Sequence, residues 1–123
     1  MLKFVIVGLG GALGAICRYG ISLIPVKCSF PVLTLIVNFL GSTLIGFIIG
    51  LSLSANLSAN AVLFWKTGVC GGFTTFSAFS AEAWQLFEAG KIWQGGLYIV
   101  LSVGLCLAGV AVGQSLGRVV VKQ

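Results

Sequence analysis

Residues 28–65 run without a single charged side chain. A helix needs about 20 apolar residues to cross the hydrocarbon of a bilayer, so this stretch holds one crossing and part of another. Its polar section, Ser54-Ala55-Asn56-Leu57-Ser58-Ala59-Asn60, is where the chain turns. Further charge-free runs lie at 4–17, 67–81 and 92–117, and after Arg18 the apolar character resumes to Val26. These runs specify an all-α membrane protein of four transmembrane helices, at about 4–24, 32–53, 61–88 and 95–118, in one domain spanning 1–123. Pro25 and Pro31 bracket the first loop, where proline ends one helix and opens the next. Composition points the same way. Only 7% of residues are charged, 59% are hydrophobic, and the mean hydropathy is +1.15. Soluble domains carry roughly a quarter charged residues, so this chain could not cover a water-facing surface. Lys3 ahead of an apolar run also fits a signal peptide. No A-x-A-like cleavage site follows and Arg18 interrupts the run, so the first segment is expected to be retained.

The side-chain inventory excludes most enzymes. There is no histidine, and the only acids are Glu82 and Glu88. That removes histidine-based triads, paired carboxylates in the first two-thirds of the chain, and nearly all metal sites built from side chains. Cys17, Cys70 and Cys106 sit in apolar runs and Cys28 in a loop, without a C-x-x-C pair. They read as buried small hydrophobes.

The net charge of +5 comes from cations spread along the chain rather than clustered, which argues against a nucleic-acid surface. Spaced cations of this kind mark membrane interfaces and set topology. With four spans, one side carries Lys3, Lys66, Arg118 and Lys122, the other Arg18, Lys27 and Lys91. That near balance gives no preferred orientation. Such a chain is expected to insert both ways and to pair antiparallel with itself.

The 18 glycines are about twice the usual frequency. They recur at small-xxx-small spacing in Gly10/Gly14, Gly46/Gly50, Gly68/Gly72 and Gly109/Gly113/Gly117. Close helix packing is the expectation for all but Gly71 and its neighbours. Those neighbours form Gly68-Val69-Cys70-Gly71-Gly72-Phe73-Thr74-Thr75-Phe76-Ser77-Ala78-Phe79-Ser80-Ala81-Glu82. A glycine pair followed by two threonines is poor helix material, so the third helix is expected to be broken near its middle. Freed carbonyls are tolerated at membrane depth only inside protein or where they capture something. A simple kink with hydroxyl back-bonding satisfies the same residues.

Phe76 and Phe79 stand at i and i+3, so their rings share a face. Ring edges are electropositive and can stabilise a small anion without trapping it, although paired phenylalanines more often simply pack. Asn38 lies within Leu35-Ile36-Val37-Asn38-Phe39-Leu40, with Thr34 one turn earlier. Its amide must find a partner there, either another helix or an ion path. Tyr98, Ser102 and Cys106, at i, i+4 and i+8, make a mildly polar stripe on the last helix.

Three ordered motifs now resemble one family over essentially the whole chain. They are Gly10-Gly11-Ala12-Leu13-Gly14-Ala15-Ile16-Cys17-Arg18-Tyr19, Thr34-Leu35-Ile36-Val37-Asn38-Phe39-Leu40-Gly41 and Gly71-Gly72-Phe73-Thr74-Thr75-Phe76-Ser77-Ala78-Phe79. The chain resembles the Fluc/CrcB family of fluoride channels. The resemblance implies an antiparallel, dual-topology homodimer in the inner or plasma membrane that passively exports cytoplasmic fluoride. It implies a fluoride pore of Asn38, Phe76, Phe79, Ser77, Tyr98 and Ser102, with Arg18 and Glu82 in a vestibule. It also implies a structural sodium ion at the dimer interface, held by the backbone carbonyls of Gly71 and Thr74. The chain departs from the family at Cys106, where a hydroxyl is expected, and at Ala78, where many members have threonine. Two other readings stay open on residues alone. A small four-helix proton-coupled multidrug exporter needs a membrane-embedded carboxylate early in the chain, and none precedes Glu82. A non-transporting membrane scaffold explains the glycines but leaves Asn38 and the third motif idle.

Overall fold

The computed structural model describes residues 1–54 and 57–121, and all its regular elements are helices, with no strand among those residues. Ala55 and Asn56 of the expected turn, and Lys122 among the topology-setting cations, lie outside the described residues. Helix α1 spans Leu2–Ser22, α2 Val32–Ser54 and α6 Ile92–Val121. These three are long and apolar enough to cross a membrane. Between α2 and α6 the chain is composite. Helix α3 (Ala59–Val62) opens on a Ser58 cap, whose hydroxyl accepts from the Ala61 N–H at 3.2 Å. A wider π-helical stretch, Leu63–Cys70, follows and leads into α4 (Gly71–Phe73). Helix α5 then runs Phe76–Glu88.

The helix ends follow from local chemistry. Pro31 accepts the first α2 bond, from the Leu35 N–H at 3.3 Å, and its missing N–H costs nothing at that position. Helix α5 closes on Gly90, whose φ of 73° is the left-handed conformation glycine adopts without a Cβ penalty. The Gly90 N–H bonds the Phe87 carbonyl and the Lys91 N–H bonds the Leu86 carbonyl, both at 2.9 Å, which satisfies the last orphan acceptors. Helix α6 begins at Ile92 rather than near residue 95. Gly95 donates to the Lys91 carbonyl at 2.9 Å, so the Gly95–Gly96 pair continues a helix already under way.

Glycine sorts the helices into two tightly apposed pairs. A Cβ added at Gly46 or Gly113 would overlap the backbone carbonyl of Val110 or of Thr43, which locks α2 against α6. One at Gly10 would lie 2.6 Å from the Phe64 carbonyl oxygen and 2.9 Å from the Gly68 Cα, which seats α1 on the π-helical stretch. This is close backbone approach of the kind membrane helices use to associate. Gly71 faces open space, whereas a Cβ at Gly72 would meet the Gly11 carbonyl. Gly72 is therefore a packing glycine, whereas Gly71 makes no close approach and keeps ordinary helical backbone, with φ of -63° and ψ of -38°. The pairs are joined through α5, where Phe79, Ala83 and Leu86 pack on the fully buried Tyr98 of α6. Among the cysteines only Cys70 is fully buried. Cys17 and Cys28 are exposed and Cys106 is half-buried, because their helix faces and loop point away from the tight pairs.

Candidate functional site

Thr74 and Thr75 adopt extended backbone between α4 and α5, with ψ of 157° and 111°. In an uninterrupted helix the Thr75 N–H would bond the Gly71 carbonyl, and the Ala78 N–H would bond that of Thr74. Both donors go elsewhere. The Thr75 N–H donates to Asn38 Oδ1 at 2.8 Å, and the Ala78 N–H donates to Thr75 Oγ1 at 3.1 Å. Asn38 Nδ2 completes a two-point clamp by donating to the Thr75 carbonyl at 3.1 Å. An amide offers the donor and acceptor that one residue of extended backbone needs, so Asn38 of α2 stands in for a missing neighbour. The interruption also exposes the Gly72 carbonyl, which accepts from Arg18 Nε at 3.2 Å. A cation there complements the negative end of α4.

The clamp separates two concavities, and Thr75 lines both. The larger has a volume of about 610 Å³. Asn38, Phe76, Phe79, Ser102, Cys106 and Lys66 contribute to its wall, which contains no acid. The Phe76 and Phe79 ring centroids are 5.4 Å apart with planes tilted by 50°. Phe79 is buried at 8% exposure, while Phe76 stands 78% exposed on the open side. Ser102 is buried on the same wall, and its hydroxyl has no protein partner. Gly71 and Thr74 also border this cavity.

The smaller concavity, about 170 Å³, brings together Arg18, Thr34, Thr75, Ala78 and Glu82. Thr34 Oγ1 donates to Glu82 Oε1 and Tyr98 OH donates to Glu82 Oε2, each at 2.7 Å. The carboxylate is thus shared by hydroxyls from α2 and α6. Such charge-assisted bonds are short and about twice as strong as neutral ones.

The sequence-selected residues therefore divide. Asn38, Phe76, Phe79, Ser102, Gly71 and Thr74 share the large cavity, and Arg18 shares the small one with Glu82. Tyr98 does not line the large cavity; it packs edge-to-face on Phe30 and at a tilt on Phe79, with its hydroxyl on Glu82. Ser77 is exposed, with its hydroxyl 3.3 Å from Thr75 Oγ1. Sequence reasoning passed over Thr75. Threonine directly ahead of an apolar helix is an ordinary N-cap residue.

The family model for "CrcB-like protein, Camphor Resistance (CrcB)" matches residues 5–114. The chain belongs to the CrcB family. Similar CrcB relatives include proteins named fluoride-specific ion channel FluC. That of Ruminiclostridium cellulolyticum is 46% identical, over 98% of this chain and 95% of its own. That of Methanococcus maripaludis is 48% identical, over 93% of this chain and 94% of its own. That of Azobacteroides pseudotrichonymphae is 43% identical, over 90% and 92%. The matched CrcB region contains every residue of both concavities, from Arg18 to Leu107.

Proposed function

We propose that this chain is the protomer of a fluoride-specific ion channel, which lets fluoride leave the cytoplasm passively and so lowers its concentration there. The observation that carries the reading is the acid-free cavity beside the Asn38–Thr75 clamp. A small anion gives up its water at high cost, so a path must supply donors in its place. An amide nitrogen carries two N–H groups, and the Thr75 carbonyl takes one from Asn38, leaving the other for an ion. The Ser102 hydroxyl is buried and unpartnered on the same wall, and the Phe76 and Phe79 edges add positive potential without a formal charge. Hydroxyl, amide and ring edges together attract fluoride and also let it go.

In this reading the functional unit is an antiparallel, dual-topology homodimer in the inner or plasma membrane, with its third span broken at Thr74–Thr75. The Gly71 and Thr74 carbonyls suit a structural sodium ion, because their helical donors are diverted to Asn38 and Thr75. Bound there, the ion would supply a fixed positive charge between protomers. The carbonyl dipoles need no side-chain acid to hold it.

Purified protein reconstituted in liposomes, with external fluoride followed by a selective electrode, tests the reading. Fluoride should leave down its own gradient, electrogenically, with no proton gradient applied. The proton-coupled exporter requires such a gradient and an intramembrane carboxylate. A membrane scaffold predicts no flux at all. Either result would overturn the channel.

A further inference from the structure

Lys66 is a charged residue of the large cavity's wall that the clamp does not use. It is exposed within the π-helical stretch and borders the large cavity beside Thr67. Of all the residues lining that cavity, it alone carries a charge. The smaller concavity, across the Asn38–Thr75 clamp, has its own cation in Arg18. Thr75 borders both spaces, so each side of the clamp is served by one cation.

The two cations are held differently. Arg18 is tied by its Nε to the Gly72 carbonyl and faces a carboxylate in its pocket. Lys66 makes no side-chain hydrogen bond among the described residues, and no acid shares its cavity. Lys66 precedes the interruption by enough helix to stand roughly 10 Å from it along the axis. At that distance an ammonium does not contact an ion at the clamp. It acts on the anion concentration at the cavity mouth, and a compact hydrated charge on a flexible stem does so without holding the ion.

We propose that Lys66 is the anion-gathering cation of the large cavity, raising the local fluoride concentration on the side of the clamp opposite Arg18. The inference rests on the fluoride-channel reading and adds to it a residue that sets delivery rather than selection. Its physical signature is salt dependence. A single charge is felt to about 30 Å at 0.01 M ionic strength but only about 3 Å at 1 M.

The test measures fluoride flux from liposomes carrying wild type, Lys66→Arg or Lys66→Gln, at fixed low fluoride, as an impermeant salt is raised from 0.01 M to 1 M (on the order of the range over which screening changes). Because Lys66 is exposed, these substitutions leave the packing intact. At low salt Lys66→Gln should carry about three- to tenfold less fluoride than wild type, at or below the low end of electrostatic focusing, as suits a single charge. The deficit should vanish at high salt, and Lys66→Arg should follow wild type throughout. A Lys66→Gln flux equal to wild type at low salt overturns the inference and leaves the channel standing. So does a deficit of the same size at every salt concentration, which marks a structural loss. A wild type that moves no fluoride overturns the channel reading and this inference with it.

Discussion

Asn38 carries two demands with one amide, and their separation gives the sharpest residue-level test. Its oxygen and one N–H close the clamp on Thr75, while the second N–H remains for the cavity. Asn38→Asp keeps the acceptor for the Thr75 N–H but sets a carboxylate oxygen against the Thr75 carbonyl. Fluoride flux should be abolished, and unfolding in detergent should show a loss of about 1–3 kcal/mol, the cost of leaving a buried group unpaired. Phe79→Ile removes the ring edge and keeps apolar bulk, so flux should fall sharply while the detergent elution profile stays unchanged. Normal fluoride flux in both variants would remove these residues from the path. Glu82 and Tyr98 make a second, independent test, because Tyr98 OH donates to Glu82 Oε2 at 2.7 Å. Tyr98→Phe and Glu82→Ala each remove the same bond. Their stability losses should therefore fall short of additivity by about 0.5–3 kcal/mol in a double-mutant cycle, whereas strict additivity would mean the bond does not form.

Elements meet through glycine, and the same substitution should carry opposite signs at different positions. Alanine at Gly113 drives a methyl into the Thr43 carbonyl, while Gly104 has open space where a Cβ would go. Gly113→Ala should destabilise by about 1–3 kcal/mol through overpacking. Gly104→Ala should be neutral or stabilise by up to about 1 kcal/mol, from helix propensity alone. Thermal unfolding in detergent reads both, and equal effects would show that α2 and α6 do not meet through these glycines. Much of this level is legible in the sequence, since charge-free runs mark the spans and small-xxx-small spacing marks the tight faces. At the glycine–threonine run, Thr74 and Thr75 are extended between α4 and α5. What spacing does not carry is the partner across space. Thr34 and Glu82 are 48 positions apart and Asn38 and Thr75 are 37 apart, so only the fold brings them within hydrogen-bond reach. Tyr98 falls in register with Ser102 on one stripe, yet its hydroxyl turns to Glu82, where a half-buried carboxylate takes it as a donor. The π-helical winding before Gly71 has no signature that residue periodicity would reveal.

At the scale of the whole molecule, the proposed antiparallel dimer draws on two features, the nearly balanced cations and the carbonyls whose helical donors are diverted. Gly71 and Thr74 offer two carbonyls per chain, too few for an ion that takes several oxygens. The proposed antiparallel partner would double the set. In the sequence, Lys3, Lys66, Arg118 and Lys122 stand against Arg18, Lys27 and Lys91, a near balance under which the proposed dual insertion is expected. Ala89 is exposed in the loop between α5 and α6 and provides a labelling position. With the four native cysteines replaced, Ala89→Cys should be labelled by a membrane-impermeant thiol reagent from both sides of the membrane. Adding lysines to one set of loops should drive every chain into one orientation, and labelling should then come from one side only. That population has no antiparallel partner, so its fluoride flux should collapse. Co-expression with a chain whose added lysines lie in the opposite loops should restore it, because each orientation again meets its complement. One-sided labelling of the unmodified loops, or full flux from a single-orientation population, would mean that the protomers do not pair in opposition.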